Sequence, residues 1–438
     1  MLKRLLIIDR GGKMIRNLMI NFLKTASKVK EQEVKAVIFS FLFVVVLMSA
    51  YYILRPVRDA MASDWTDAEV SWLWTLNFFI STAIVALYGV MISKFRFRLL
   101  VPTMYGIFAI SFIIFYALGS IFEDRTVIDK SFYVWVSVFS LFHISVFWTF
   151  MSELFSKEQS GRLFGIIAVG ASVGGLIGPS ITAFFSVSLG TDNLMLIASM
   201  MLFIPIPIIF YLQSLKAKEF NNEVLDIPIS NKSIGGNPLA GFKMFISNPY
   251  LLSIGLFIFL YTGISSFVYF ELKNLLSDFS RPERSVIWAQ MDLAVNILAI
   301  STGLFATSRI VTKFGMPVTI TIVPIMICIG LLVLAISPLL GVVVVLQVIR
   351  RAGNYAVTRP AREMLFTLVN QETRFKAKPV IDIVAYRGGD MLMAWLFTGL
   401  TQGLGLGLAS VAAVGAGIAS LWALVGIYLG KWFDRYES

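Results

Sequence analysis

EQSGRLFGIIAVGASVGG (residues 158–175) and ETRFKAKPVIDIVAYRGG (residues 372–389) align end to end without a gap. Each begins with a glutamate and a basic residue after one apolar run, and each ends on paired glycines inside the next. A second echo sets Tyr51, Leu54 and Arg55 against Tyr269, Leu272 and Lys273 at nearly the same offset. Repetition on this scale predicts two equivalent halves. The longest polar interval between apolar runs, residues 216–243 with Asn221, Asn222, Gly235, Gly236, Asn237 and Pro238, falls between them and reads as their linker.

Around the repeat the chain has the composition of a membrane protein. Of 438 residues, 57% are hydrophobic and 14% charged, and the mean hydropathy is +0.80, well past ordinary soluble domains. Uncharged stretches run over 36–54, 70–93, 99–122, 131–152, 163–191, 193–215 and 244–270, each near or above the roughly 18–20 residues a spanning helix needs. The next, 285–308, carries only Asp292, and 314–349 is too long for one crossing, so it holds a ninth helix and the start of a tenth. Residues 379–404 and 409–430 complete the set. The expectation is an all-α membrane protein of twelve transmembrane helices in two pseudo-symmetric six-helix halves. Its segments are 1–34 (a cytoplasmic amphipathic N-terminal segment), 35–215, the cytoplasmic linker 216–243, and 244–438. This resembles the build of the major facilitator transporters, whose substrate site lies between halves near the midplane.

Charge sets the orientation. Residues 1–35 carry nine Lys and Arg against three acids, and Lys94, Arg96, Arg98, Arg309, Lys313, Arg374, Lys376 and Lys378 fall on the same side of an even-numbered topology. The positive-inside rule then places both termini in the cytoplasm of a multi-pass protein of the bacterial inner membrane. The formal net charge of +11 reads as topology, not nucleic-acid binding. No cleaved signal peptide is expected, and Met14 is an alternative start to Met1. Ile15, Leu18, Met19, Phe22 and Leu23 share one helical face, as in an interfacial helix. Cys328 and His143 are each the only residue of their kind, so no disulfide, metal site or cofactor is expected, and a lone intramembrane His reads as a packed core residue.

Charges inside such sequence carry the functional signal. An ionised side chain at the bilayer centre costs roughly 2.5–3.5 kcal/mol on insertion scales, so it is paired, faces water or holds a ligand. Between residues 350 and 390, eight basic residues stand against four acidic ones. On the first span Tyr51, Arg55, Arg58 and Asp59 follow i, i+4, i+7, i+8, one face at the outer end that suits a gate or an anion contact. On the tenth, Gln347, Arg351, Asn354, Thr358 and Arg362 make a polar stripe with Arg350 and Tyr355 beside it, and Pro360 is expected to bend the helix. At about 1.5 Å per residue, Arg350 and Arg351 lie roughly 15 Å from the outer end. On the eleventh, Asp382, Tyr386 and Asp390 share a face, with Arg387 three residues before Asp390; Trp288, Asp292 and Asn296 form a shorter stripe on the eighth.

Two readings compete for these charges. Ion pairing that locks one state of a transport cycle is the better account of Asp382, Glu153, Arg362, Arg374, Lys376 and Lys378, near the cytoplasmic ends. Arg350, Arg351 and Arg387 lie deep and outnumber nearby carboxylates, so anion binding stands equal to pairing there. Asp292 and Asp390 are candidate proton sites, since burial disfavours the charged carboxylate, unless fixed salt bridges silence them. Asp59, Glu153, Asp292, Asp382 and Asp390 together form the expected coupling or gating set. The four-residue spacing of Gly170, Gly174 and Gly178, and of Gly399, Gly403 and Gly407, predicts close helix packing and bending rather than a phosphate cradle.

YYILRPVRD (residues 51–59) resembles the first-helix motif of the bacterial and plastid nucleotide (ATP/ADP) translocase family, a relative of the major facilitators. Ser152-Glu153-Leu154 is similar to that family's Ser-Glu-Leu, and Lys376-Ala377-Lys378 with Asp382, Val384, Arg387 and Gly389 is similar to its tenth-to-eleventh helix segment. The resemblance implies that Arg58, Glu153 and the cationic position of the eleventh helix bind or couple nucleotide. One position departs from it: Asp390 stands where that family carries a lysine, which lowers the local charge by two. The implied cargo therefore widens from ATP to anionic, including phosphorylated, metabolites.

The expectation is a monomeric secondary active transporter, not an enzyme. It works by alternating access in the lipid bilayer, takes a small anionic substrate at Tyr51, Arg55, Arg58, Arg350, Arg351, Tyr355 and Arg387, and has protons as the candidate coupling ion. A proton-driven exporter of siderophores or amphiphiles is the same-class rival; an intramembrane enzyme or lipid-handling protein is the rival of another class.

Overall fold

The computed structural model describes residues 29–94, 97–219, 240–305, 307–369 and 381–437, and every element among them is helical. The amphipathic face over 15–23, most of the linker, and the stretch holding Arg374, Lys376 and Lys378 lie outside the described residues. The first group of helices is α1 (Val34–Met61), α2 (Asp67–Lys94), α3 (Phe97–Ile121), α4 (Thr126–Leu154), α5 (Lys157–Leu189), α6 (Thr191–Met201) and α7 (Pro205–Glu219). The second is α8 (Ala240–Ser247), α9 (Pro249–Leu275), α10 (Arg281–Phe305), α11 (Thr307–Ile336), α12 (Leu340–Gly353), α13 (Arg359–Leu365), α14 (Gly388–Thr398) and α15 (Leu408–Glu437). Ten helical segments among the described residues are long and apolar enough to cross a membrane.

Local chemistry sets the boundaries. Ser156 accepts from the Gln159 N–H at 3.3 Å while the Gln159 side chain accepts from the Ser156 N–H at 2.9 Å, a reciprocal cap that starts α5. Asn248 caps α9, with Pro249 at a position that needs no backbone N–H. Pro205 opens α7 after the turn that interrupts the sixth apolar run. Gly315 breaks α11 at a φ of +75°, a conformation open to glycine. Between α12 and α13 the chain widens into a π-helical stretch, Asn354–Thr358; Pro360 follows, with no N–H to continue a regular ladder. The bend expected at Pro360 thus takes the form of a wide turn just before it. Similar wide turns, Ile381–Arg387 and Gly399–Gly403, flank α14.

α1 lies against α4, α5 and α10. Its contact with α5 is a glycine seam: a Cβ at Gly174 would come within 2.5 Å of the Val45 carbonyl, and one at Gly178 within 2.5 Å of the Ser49 carbonyl. The other glycine series behaves differently. A Cβ at Gly399, Gly403 or Gly407 would meet nothing within 4 Å, so the packing expected there is overturned; Gly399 and Gly403 form a wide turn instead. In the second group close approaches are made by Gly389, whose Cβ would collide with Thr262 Oγ1 on α9, and by Gly430 on α15, whose Cβ would collide with Pro317 Cα on α11. Exposed faces of α3 (Ile110, Ile114), α11 (Ile325, Ile329) and α15 (Leu421, Leu424) are apolar, as lipid-facing helices require.

The two groups are bolted together at one end, here termed the clamp. Arg281 pairs with Asp64 at 2.5 Å and with Asp129 at 2.6 Å, and Arg284 reaches Asp64 at 2.6 Å. Lys273 meets Asp67 at 2.8 Å, and Thr401 donates to the other oxygen of Asp67 at 2.8 Å. Ser71 with Thr398 (2.8 Å) and Trp395 Nε1 with Thr75 (3.0 Å) continue the seam between α2 and α14.

Candidate functional site

A cavity of about 270 Å³ lies directly beside the clamp, walled by both helix groups. From the first come Tyr51, Arg55, Arg58 and Asp59 on α1, Trp74, Asn77 and Phe78 on α2, and Tyr133, Ser137 and Ser140 on α4. From the second come Ser265 and Tyr269 on α9, Gln347 and Arg350 on α12, Tyr355 on the wide turn after it, and Tyr386, Arg387 and Asp390 around the start of α14. The hydroxyls of Tyr133 and Tyr269 meet at 3.0 Å across the groups, Tyr269 also reaches Asp59 at 3.5 Å, and Trp74 Nε1 donates to Tyr133 at 2.8 Å. The cavity wall therefore runs without interruption into the clamp.

Eight of the sequence-derived residues meet in this one cavity: Tyr51, Arg55, Arg58, Asp59, Arg350, Tyr355, Arg387 and Asp390. Arg351, Glu153 and Asp292 do not line it. Consecutive residues on a helix point about 100° apart. While Arg350 faces the cavity, Arg351 therefore turns away and pairs with Asp292 at 2.5 Å, both buried. Arg351, expected beside Arg350 as an anion ligand, is thus half of a buried ion pair. Asp292 also lies 3.5 Å from Arg55, so the carboxylate expected as a proton site is held between two guanidiniums. Glu153, thirteen residues beyond Ser140 on α4, is roughly 20 Å further along the helix axis; its carbonyl accepts from Lys216 Nζ. The backbone of Asp382 opens the second wide turn, but its side chain lies outside the description. His143 is buried and stacks on Tyr51 with ring centroids 4.3 Å apart, in keeping with a packed core residue.

Charge is unevenly satisfied around the cavity. Four lining guanidiniums face two lining carboxylates, a formal excess of two positive charges. Arg58 is well held: its Nε and Nη2 donate to Asp59 Oδ1 at 2.9 and 2.5 Å, its Nη1 to Ser137 at 3.2 Å, and it lies over the Tyr133 ring at 5.4 Å. Arg55 is 3.6 Å from Asp59. Arg387 is only loosely paired with Asp390, at 3.9 Å. Arg350 is the exception. It is 4% exposed and donates through Nε and Nη2 to the neutral Gln347 Oε1 at 3.0 and 2.8 Å, and through Nη1 to the Tyr261 hydroxyl at 3.4 Å. No carboxylate among the described residues pairs with it. A buried guanidinium held by neutral acceptors is preorganised for a planar anion such as a carboxylate or phosphate.

Sequence reasoning missed the α2 and α4 walls, because Trp74, Tyr133, Ser137 and Ser140 carry no charge within apolar runs. A signal was present. Tyr133, Ser137 and Ser140 follow i, i+4, i+7, a weak polar stripe on one helical face.

The sequence profile of the Major Facilitator Superfamily matches residues 39–370. This chain belongs to that superfamily. Among curated proteins, ADP,ATP carrier protein 1 of Chlamydia muridarum (strain MoPn / Nigg) is 23% identical over 365 residues, covering 71% of this chain. The match spans 65% of that carrier's length. Among solved structures, the nucleoside transporter NupG aligns with a TM-score of 0.63 at 13% identity, over 91% of this chain and 99% of NupG. A bacterial homologue of the human lysosomal transporter Spinster, crystallised inward-facing and unoccupied, aligns with a TM-score of 0.56 at 13% identity, over 92% and 97% of the two chains. These structural likenesses establish a shared fold, and the ten long apolar helical segments among the described residues are those of a multi-pass membrane protein of that superfamily.

Proposed function

We propose that this chain is a secondary active transporter that carries a small organic anion by alternating access, and that the anion binds in the cavity at Arg350, Arg387 and Arg58. The observation that carries the reading is Arg350, a buried cation with neutral partners in a cavity with two surplus positive charges. Tyr51, Arg55 and Tyr355 complete the binding wall, with Asp59 and Asp390 as the carboxylates beside it. The aromatic lining, including Tyr51, Trp74 and Tyr355, favours an anion that also carries a ring. Nucleotides and other phosphorylated metabolites suit that description, and the named relatives include an ADP,ATP carrier and a nucleoside transporter.

In this reading twelve spans form two pseudo-symmetric halves, 35–215 and 244–438, that rock about the cavity. Both termini lie in the cytoplasm of a bacterial inner-membrane protein, and the clamp is the outer gate. The transporter acts as a monomer in the bilayer without metal, cofactor or nucleic acid. A thermal-shift screen of the purified protein against nucleotides, sugar phosphates, carboxylates and siderophores identifies the cargo class, and uptake of the hit into proteoliposomes tests transport. Uptake at the wild-type rate by the Arg350→Met variant would remove the main support for the site.

A further inference from the structure

One buried acid outside the cavity has no assigned use. Glu271 on α9 is 0% exposed, and neither carboxylate oxygen has a hydrogen-bond partner among the described residues. An ionised carboxylate deprived of both water and partners is costly to keep, whereas the neutral acid is tolerated. Glu271 lies at the clamp, two residues before Lys273, which pairs with Asp67 across the two groups. Asp67 has nothing to offer Glu271. Its oxygens are taken by Lys273 at 2.8 Å, Thr401 at 2.8 Å and Asn274 at 3.1 Å. Residues two apart on a helix do not face each other, and Lys273 turns instead to Asp67, the Trp65 carbonyl and the Asn274 side chain.

Of the other charges on elements packed around α9, the Asp382 side chain lies outside the description, and the rest are engaged or placed elsewhere. Asp64 in the turn after α1 holds Arg281 and Arg284, and Glu69 on α2 holds Lys130. On α12, Arg351 is paired with Asp292 and Arg350 with Gln347; Arg387 and Asp390, at the start of α14, face each other in the cavity. Lys431, Asp434 and Arg435 lie at the far end of α15, and Lys243 is on α8. None of these supplies Glu271 with a counter-charge.

We infer that Glu271 is a proton-binding site, loaded when the clamp closes and emptied when it opens. Closure expels water from the carboxylate, and one oxygen takes a proton from the water on the clamp side to become O–H. Opening lets water return, and the O–H releases that proton to the same side. The inference rests on the proposed alternation of the two groups. Glu271 does not line the cavity, so proton and anion bind at separate places that communicate through the clamp.

The test places spin labels at Glu123→Cys and Asp278→Cys, on clamp-end loops of the two groups, in a Cys328→Ser background of the full chain. Label separation is measured across a pH series. The expected result is an open population that grows as pH rises, with that pH dependence lost in Glu271→Gln, which stays closed throughout. A pH response in Glu271→Gln equal to that of the parent overturns the inference, as does a parent that ignores pH while Asp67→Asn opens it. Labels that never separate, even with Asp67→Asn, overturn the alternating-access reading itself. If Glu271→Gln does not fold, infrared spectra of the unsubstituted protein decide: the closed state must show a protonated-carboxyl C=O band that disappears on opening, and its absence rules out the site.

Discussion

The clamp and the cavity are neighbours along the same helices, yet they treat charge in opposite ways. At the clamp, Asp64, Asp129 and Asp67 each meet a cation of the other helix group between 2.5 and 2.8 Å. In the cavity, Arg350 has only neutral acceptors and Arg387 a carboxylate at 3.9 Å. Asp292 sits on the boundary between the two regimes, with Arg351 at 2.5 Å and Arg55 at 3.5 Å. At the clamp these charges come with partners from the chain, whereas in the cavity Arg58 and Arg55 share Asp59 and Arg350 leaves its partner to be supplied. The difference separates two adjacent arginines, 350 and 351, which composition alone makes equivalent.

The contrast is exposed most severely at Asp292. Replacing it by Ala strips the buried Arg351 of its carboxylate and leaves Arg55 with Asp59 alone, and the expected loss is about 3–5 kcal/mol, read as lower yield and a lower unfolding midpoint in detergent. A variant as stable as the parent would erase the distinction between Arg351 and Arg350. Arg350→Met is the counter-test. Charged hydrogen bonds contribute about 1.5–3 kcal/mol, so the identified anion should bind roughly 10–100-fold more weakly by calorimetry, with the unfolding midpoint unchanged or raised. Should stability fall as it does for Asp292→Ala, Arg350 belongs with the structural charges.

Smaller effects belong to the seam between the regions. Arg281 is 33% exposed, but of its two partners Asp64 is 27% exposed and Asp129 only 2%. Its replacement by Ala leaves the buried Asp129 with Arg125 alone at 3.7 Å and should cost about 1–3 kcal/mol, of which added salt should shrink only the part due to Asp64. A salt-independent loss would mean the clamp is drier than its exposure indicates. Tyr269→Phe removes the hydroxyl that meets Tyr133 at 3.0 Å. A loss of about 0.5–1.5 kcal/mol of clamp stability is expected, seen as a larger open fraction with the same label pair.

Hydropathy made most of the spans legible, and charge made most of the cavity legible, for the same reason: both are unusual against a bilayer. The first span reads as 36–54, yet α1 continues to Met61 through Arg55, Pro56, Arg58 and Asp59. Arg55, Arg58 and Asp59 face a cavity rather than lipid, which a hydropathy window cannot register. The stripe rule brought Tyr51, Arg55, Arg58 and Asp59 to one wall, but it could not separate Arg350 from Arg351, since that depends on which neighbouring helix carries Asp292. The glycine series shows the same limit. A Cβ at Gly174 or Gly178 would strike α1, whereas one at the equally spaced Gly399 or Gly403 would meet nothing within 4 Å. Glu271 escaped notice because one acid near the end of an apolar run looks like a boundary residue until its surroundings are known.

The wide turns have a consequence for how this cavity can diversify. Tyr355 and Arg387 are both carried by π-helical stretches, Asn354–Thr358 and Ile381–Arg387, rather than by regular α-helix. A π turn accommodates one residue more than an α turn would. Losing a single residue there would restore the ordinary ladder and re-aim the side chains of the turn itself, while the helix beyond keeps its orientation. Related sequences could therefore exchange the side chains presented to a ligand by one-codon deletions or insertions, leaving the helix count, the clamp and the lipid-facing surface as they are. Alignments of such relatives should be gapped at these turns, not only at loops.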